Sequence, residues 1–332
     1  MSSGDVGNDV GAVSGVLSTW RTRLDRALDR ALGRTSMYGV LVGVLAALAL
    51  WALLGSLVGA LPQSPLDLST SLLVCVGVSV LSNRVCAAVV HAPVRFSSAL
   101  STGLLLFFLL WPAATATDVI GAAVASLVAN VSKYLLVARG RRLVNPAAFG
   151  ALVVAVVGVG APVWWVANAW MLPVVVVGGM VVLRRAGGTQ SALTTGAVAL
   201  GGTVLRLTLA GAPPLGALAT VLISYPVVLL ALFMVTEPLT LAPRRRQQLS
   251  VAALMGVLVC LPVTVHLGSW AFTLGPEAAI VAANLMSWML ASAGVGAGAA
   301  GTLQVVEIRR PAPSIAEVVL AARRPVDFQA GQ

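Results

Sequence analysis

Three short polar stretches interrupt an otherwise apolar chain, and each gathers residue types that can do chemistry. In ARGRRLVNPAAFG, residues 138–150, Arg139, Arg141 and Arg142 stand just before an Asn–Pro pair. Guanidinium groups offer paired donors, and Asn145 with Pro146 suits the start of a helix whose free N–H groups carry positive potential. Together they suit a phosphate. The plainer alternative is a capped helix preceded by topology-setting arginines.

The second stretch, RRAGGTQSALTTGAVALGG at 184–202, is a hydroxyl-rich entrance to an apolar run. Thr194 or Ser191 could cap a helix there, and a threonine hydroxyl could also carry a phosphate ester. In the third, FMVTEPLTLAPRRRQQLS at 233–250, Glu237 lies between Thr236 and Thr240 beside a basic loop. These groups can hydrogen-bond a polar ring, or form a proline exit turn with Glu237 paired to Arg244 or Arg245. Arg206, toward the middle of an apolar run, needs a polar partner, a water cavity or a ligand unless it snorkels.

The elements that must position these residues follow from composition. Of 332 residues, 58% are hydrophobic and 10% charged, and mean hydropathy is +0.96. A soluble domain carries about 25% charge, so the chain reads as an integral membrane protein. Cys75, Cys86 and Cys260 lie inside apolar runs, and His91 and His266 lie far apart, so neither a disulfide framework nor a metal centre is expected. The net charge of +10 is spread among loops between apolar runs, which argues against nucleic-acid binding.

A bilayer core about 30 Å thick needs about 20 helical residues. On that ruler an all-α polytopic fold with about ten spans is expected: 38–60, 69–90, 98–116, 119–137, 147–163, 166–183, 196–211, 215–235, 249–268 and 276–298. The short spans at 147–163 and 196–211 suit helices that end inside the protein beside a bound group. Lys and Arg cluster at alternate junctions, whereas 61–68, 117–118, 164–165, 212–214 and 269–275 contain none. That alternation places both termini in the cytoplasm of a multi-pass cell-membrane protein. Ten spans also divide into two groups of five, which permits inverted repeats.

A cytoplasmic arm, residues 1–36, precedes the membrane domain at 37–303, and a cytoplasmic tail occupies 304–332. The arm does not read as a secretory signal, and residues 1–13 are expected to be disordered. Leu17, Trp20, Leu24, Leu28 and Ala31 form one helical stripe in the arm, able to lie on an anionic lipid surface or on the protein's own loops.

STGLLL at 101–106, SKYLLVARGRRLVNPAAFG at 132–150, SALT at 191–194 and FMVTEPLT at 233–240 together resemble one membrane-subunit family. It is shared by the B subunit of the sodium-pumping NADH:quinone reductase and the D subunit of the Rnf electron-transport complex. The resemblance runs over roughly residues 38–300. It implies a flavoprotein that passes electrons within a membrane complex, often coupled to sodium or proton movement. FMN in that family is bound through a phosphoester to threonine, which on this chain corresponds to Thr194.

The resemblance also implies that Thr236, Glu237 and Thr240 line the flavin region, with Asn145 and Phe149 near it. Arg141 or Arg142 would then face phosphate. Three departures stand out: Leu193 replaces a small residue, Gly188 stands where an aspartate is usual, and Glu237 replaces the family's aspartate. The flavin is thus expected either covalently on Thr194 or bound without a tether. Some members of the wider family occur beside natural-product pathways, including enediyne biosynthesis.

The leading expectation is a flavin-dependent electron-transfer subunit with other membrane and cytoplasmic subunits as partners. The chain shows no NAD-binding loop or cysteine-rich iron site, so donor oxidation would belong to another chain. Two alternatives stay open: a transporter or channel for small solutes or ions, with Arg206 and Glu237 in its pathway, and a cofactor-free assembly subunit.

Overall fold

Serine, threonine or asparagine caps four of the helices of the first half, and proline or glycine helps to bound several of them. The computed structural model describes residues 36–138, 141–235, 237, 240–261, 263–267, 270–293, 304–312 and 315–321. The amphipathic stripe of the arm, Arg139 and Thr236 lie outside the described residues. Helix α1 (Met37–Leu57) is capped by Ser36, α2 (Pro65–Val89) by Ser64 with Pro65 in its first turn. Next come α3 (Phe96–Leu109) and α4 (Ala116–Leu135), the latter opened by a Thr115–Asp118 capping box.

A short hairpin, β1 (Val137–Ala138) and β2 (Arg141–Arg142), leads into α5 (Pro146–Val157). Asn145 caps α5 as its sequence suggests, its side chain accepting from Ala148 N at 3.1 Å. Gly158, at φ 77°, closes it in the left-handed region. Helices α6 (Leu172–Ala186) and α7 (Thr189–Leu209) follow, then α8 (Pro214–Ser224) and α9 (Val227–Leu229), which continues as a π turn over Leu230–Met234. The chain goes on through α10 (Arg245–Cys260), the hairpin β3 (Val263–Leu267) and β4 (Trp270–Leu274), and α11 (Pro276–Ala293). Residues 289–332 form a separate unit, whose described part includes the antiparallel hairpin β5 (Gln304–Ala312) and β6 (Ile315–Ala321).

The protein is a multi-pass, mainly helical membrane protein, but the expectation of about ten spans is overturned. Among the described residues four helices are long and apolar enough to cross a bilayer: α1, α2, α4 and α7. A fifth counts if Pro214–Ser224 and Val227–Met234, bent by 63°, are one broken span. The division into two inverted groups of five falls with that count. Helices α3 and α5 have 14 and 12 residues, about 21 and 18 Å at 1.5 Å per residue, short of the slab. The expected ninth span runs out of helix at Cys260, and its last residues form strand β3.

The reason is that apolar sequence continues through turns that are not helix. Leu110 leaves α3 and bridges to Pro162, while Trp111 N bonds Ala161 O at 3.1 Å. Trp164, Trp165 and Val166 are all buried, and the Trp165 indole donates to Phe107 O at 2.7 Å. These apolar loop residues fill the core beside Phe107 and Phe108 instead of extending a helix.

Packing between the early helices uses small residues. Helix α2 turns Ser71, Cys75, Ser79, Ser82 and Asn83 inward, while Leu73 and Leu81 stay exposed. Helix α4 buries Gly121, Ala122, Ala125, Ser126, Ala129 and Asn130 and exposes Ile120, Leu127 and Leu135. Such helices are polar and small inside and apolar outside, as membrane packing requires. Gly103 of α3 lies directly against the backbone of Cys75 and Val76.

Candidate functional site

The basic junction after α4 and the end of the broken span meet around one carboxylate. Arg141 and Arg142 are neighbours on β2, and both reach the segment at 237–241. Arg141 donates to Leu241 O at 2.9 Å and ties down the loop after Glu237. Arg142 donates to Glu237 Oε1 at 2.6 Å through one nitrogen and to Ser98 Oγ at 3.2 Å through the other. Both side chains of this ion pair are 12% exposed, so bulk water screens it little.

Asn145 completes the cluster. Its Nδ2 donates to Glu237 Oε2 at 2.9 Å, its Oδ1 caps α5, and its backbone N–H donates to Asn284 Oδ1 at 2.7 Å. Glu237 reaches this place because Pro226 breaks the preceding span. Tyr225 is extended at φ −110° and ψ 142°, as residues before proline prefer, and the π turn then carries the chain to Glu237. Thr240 closes the turn, bonding Glu237 O at 3.1 Å through its hydroxyl, and its own carbonyl accepts from Ser287 Oγ at 2.6 Å.

Arg142, Asn145 and Glu237 are therefore together, with Thr240 beside them as a turn-forming residue. Arg142, and neither Arg244 nor Arg245, is the partner of Glu237; Arg245 instead donates to Gln190 Oε1 at 2.6 Å. Thr194 lies elsewhere along the helix surface, half-exposed, and its hydroxyl donates back to Gln190 O at 2.8 Å. Neither Thr194 nor Ser191 caps α7: Gly188 holds the N-cap position at φ 79°. Arg206 is in the last turn of α7, about 18 Å along the axis from Thr194, with Tyr225 Oη at 3.4 Å. Phe149 is partly buried on α5.

Two cavities border the Arg142 cluster. The first, about 20 Å³, is lined by Tyr38, Ser101, Thr102, Asn145 and Glu237 among others, and has room for a water molecule. The second, about 240 Å³, lies against Asn83, Arg95, Lys133, Tyr134 and Arg142. Thr194, Arg206 and Phe149 line neither of them. An isoalloxazine ring does not fit the first, and the second is below the roughly 300 Å³ at which pockets for drug-sized ligands begin. A phosphate group fits the donors of the second cavity, whereas Thr194, the expected attachment point of a tethered flavin, borders neither cavity.

Lys133 and Ser98 are the residues that the sequence does not single out. Lys133 reads there as one more basic flank, yet it is buried, donating to Ser98 O and Asn130 Oδ1 at 2.8 Å each. Asn130, one turn earlier on the same helix face, was the available signal. No protein-family model matches the chain, and no curated protein matches it in sequence.

Proposed function

We propose that this chain is a membrane subunit of an electron-transfer assembly whose flavin, held without a covalent tether, lies between the Arg142 cluster and a partner subunit, since neither cavity at that cluster admits the ring. One observation supports the reading: Arg142, Asn145 and Glu237, drawn from two separate junctions of the family resemblance, share one partly buried cluster. Bound flavin supplies the redox chemistry. The chain's own groups supply cationic donors, a fixed carboxylate and a low-water surrounding that would set the potential near them. Membrane and cytoplasmic partner subunits would deliver and accept the electrons.

The position of Thr194 argues for exchangeable flavin. Leu193 beside it is exposed, and the threonine lines neither cavity of the Arg142 cluster. Purification from native membranes with partners retained is expected to give a flavin absorption spectrum. Denaturing gels should then lose the fluorescence, equally in Thr194→Ala and in the parent chain. Fluorescence that survives denaturation in the parent and disappears in Thr194→Ala would overturn the untethered form, and preparations consistently free of flavin would overturn the whole reading.

The transport alternative is favoured by a different observation, the 63° break that brings the chain to Glu237. Discontinuous helices ending at charged groups are a common way to build a solute site. Solute flux in flavin-free liposomes would select that reading.

A further inference from the structure

The larger cavity has the wall of an anion site, and its chemistry stands apart from the flavin reading. Three cations border it: Arg95, Lys133 and Arg142. Glu237 neutralises Arg142. No carboxylate is among the residues lining the cavity beside Arg95 and Lys133. Lys133 is 8% exposed and spends two of its three N–H donors on Ser98 O and Asn130 Oδ1. A buried ammonium with only neutral partners is costly unless water or an anion offsets its charge.

A second, independent observation comes from Asn83. It is 2% exposed, lines the same cavity, and its Oδ1 accepts from Tyr134 Oη at 3.0 Å. Its Nδ2 has no hydrogen-bond partner. Buried amide donors are almost always satisfied, and this one, closed off from the cavity itself, leaves the fold behind the wall short of an acceptor. Tyr134 has its own proton committed to Asn83, which leaves the wall rich in donors and poor in acceptors.

These residues come from the end of α2, the start of α3, the end of α4 and the β1–β2 hairpin, so four elements fix the site. Arg95, exposed, stands at its rim, whereas Lys133 and Asn83 form its floor. Guanidinium and ammonium groups around about 240 Å³ match an oxyanion with several acceptor oxygens better than a cation or a neutral ring.

We propose that the cavity formed by Asn83, Arg95, Lys133, Tyr134 and Arg142 binds a phosphate-class anion, a phosphate monoester or the phosphate of a lipid headgroup. The site does not rest on flavin binding. The full chain, flavin-free in a phosphate-free detergent, is titrated with inorganic phosphate and with glycerol 3-phosphate by equilibrium dialysis. Saturable binding that sodium chloride of equal ionic strength does not reproduce is the expected result. Arg95→Gln, at an exposed position, weakens it about tenfold, the value of one charge-assisted contact.

Arg84→Gln is the control, since Arg84 stacks on Phe96 at 5.4 Å and does not line the cavity. Absence of saturable binding overturns the proposal, as does equal weakening by Arg84→Gln and Arg95→Gln. Bilayer discs then separate the sources. Competition by phosphatidic acid, absent with phosphatidylcholine alone, assigns the lipid phosphate. Unchanged binding in both assigns the soluble monoester.

Discussion

At the scale of single residues, Glu237 is the acceptor on which the cluster depends. It takes Arg142 on one oxygen and Asn145 on the other. Removing one member of a mostly buried pair leaves the other charge without compensation, a loss of about 3 kcal/mol, whereas replacing both by apolar groups is far cheaper. Glu237→Leu is therefore expected to lower stability by about that amount. Arg142→Met combined with Glu237→Leu should recover most of it, measured by denaturant unfolding in detergent. A double variant as unstable as the sum of the two singles would show that the pair is not coupled. Asn145→Ala should cost about 1–2 kcal/mol, because it removes the cap of α5 and a donor to Glu237 together.

At the scale of elements, close helix contacts rest on small residues at fixed positions. A Cβ on Gly150 would run into the Ala125 carbonyl oxygen and press on Ala129 Cβ at 3.0 Å, so α5 could not keep its distance from α4. Gly150→Ala is expected to destabilise by about 1–3 kcal/mol through this overpacking. Gly43 on α1 has nothing within 4 Å of its would-be Cβ. There the same substitution should be neutral or stabilise by up to about 1 kcal/mol, since alanine loses less entropy in a helix. Thermal unfolding of the two variants side by side separates a packing role from a general intolerance of alanine.

At the scale of the whole molecule, the surface is what a lipid environment selects. Leu73 is 73% exposed and Leu209 80%, while Ser79, Ser126 and Asn130 are fully buried. An aqueous protein with that arrangement would aggregate through its apolar face. The chain is expected to remain in the membrane pellet after alkaline carbonate washing and to enter solution only with detergent. Release by carbonate alone would contradict its multi-pass insertion.

What the sequence determined by itself was the solvent of this protein and the chemistry of its junctions. Composition alone demands a bilayer, Asn145–Pro146 announces the start of α5, and Arg142 and Glu237 stand out as charges at polar breaks. These are local properties, written in residue type and in neighbours a turn away. Which apolar stretches become helix was decided by tertiary packing: Trp164 and Trp165 fill the core from a loop, and hydropathy cannot tell such a filler from a span. Tertiary closure also chose the partner of Glu237 across 95 positions, buried Lys133 beside Ser98, and left Thr194 outside both cavities. Pairings of that kind depend on the three-dimensional meeting of distant segments, a quantity that no window along the chain contains.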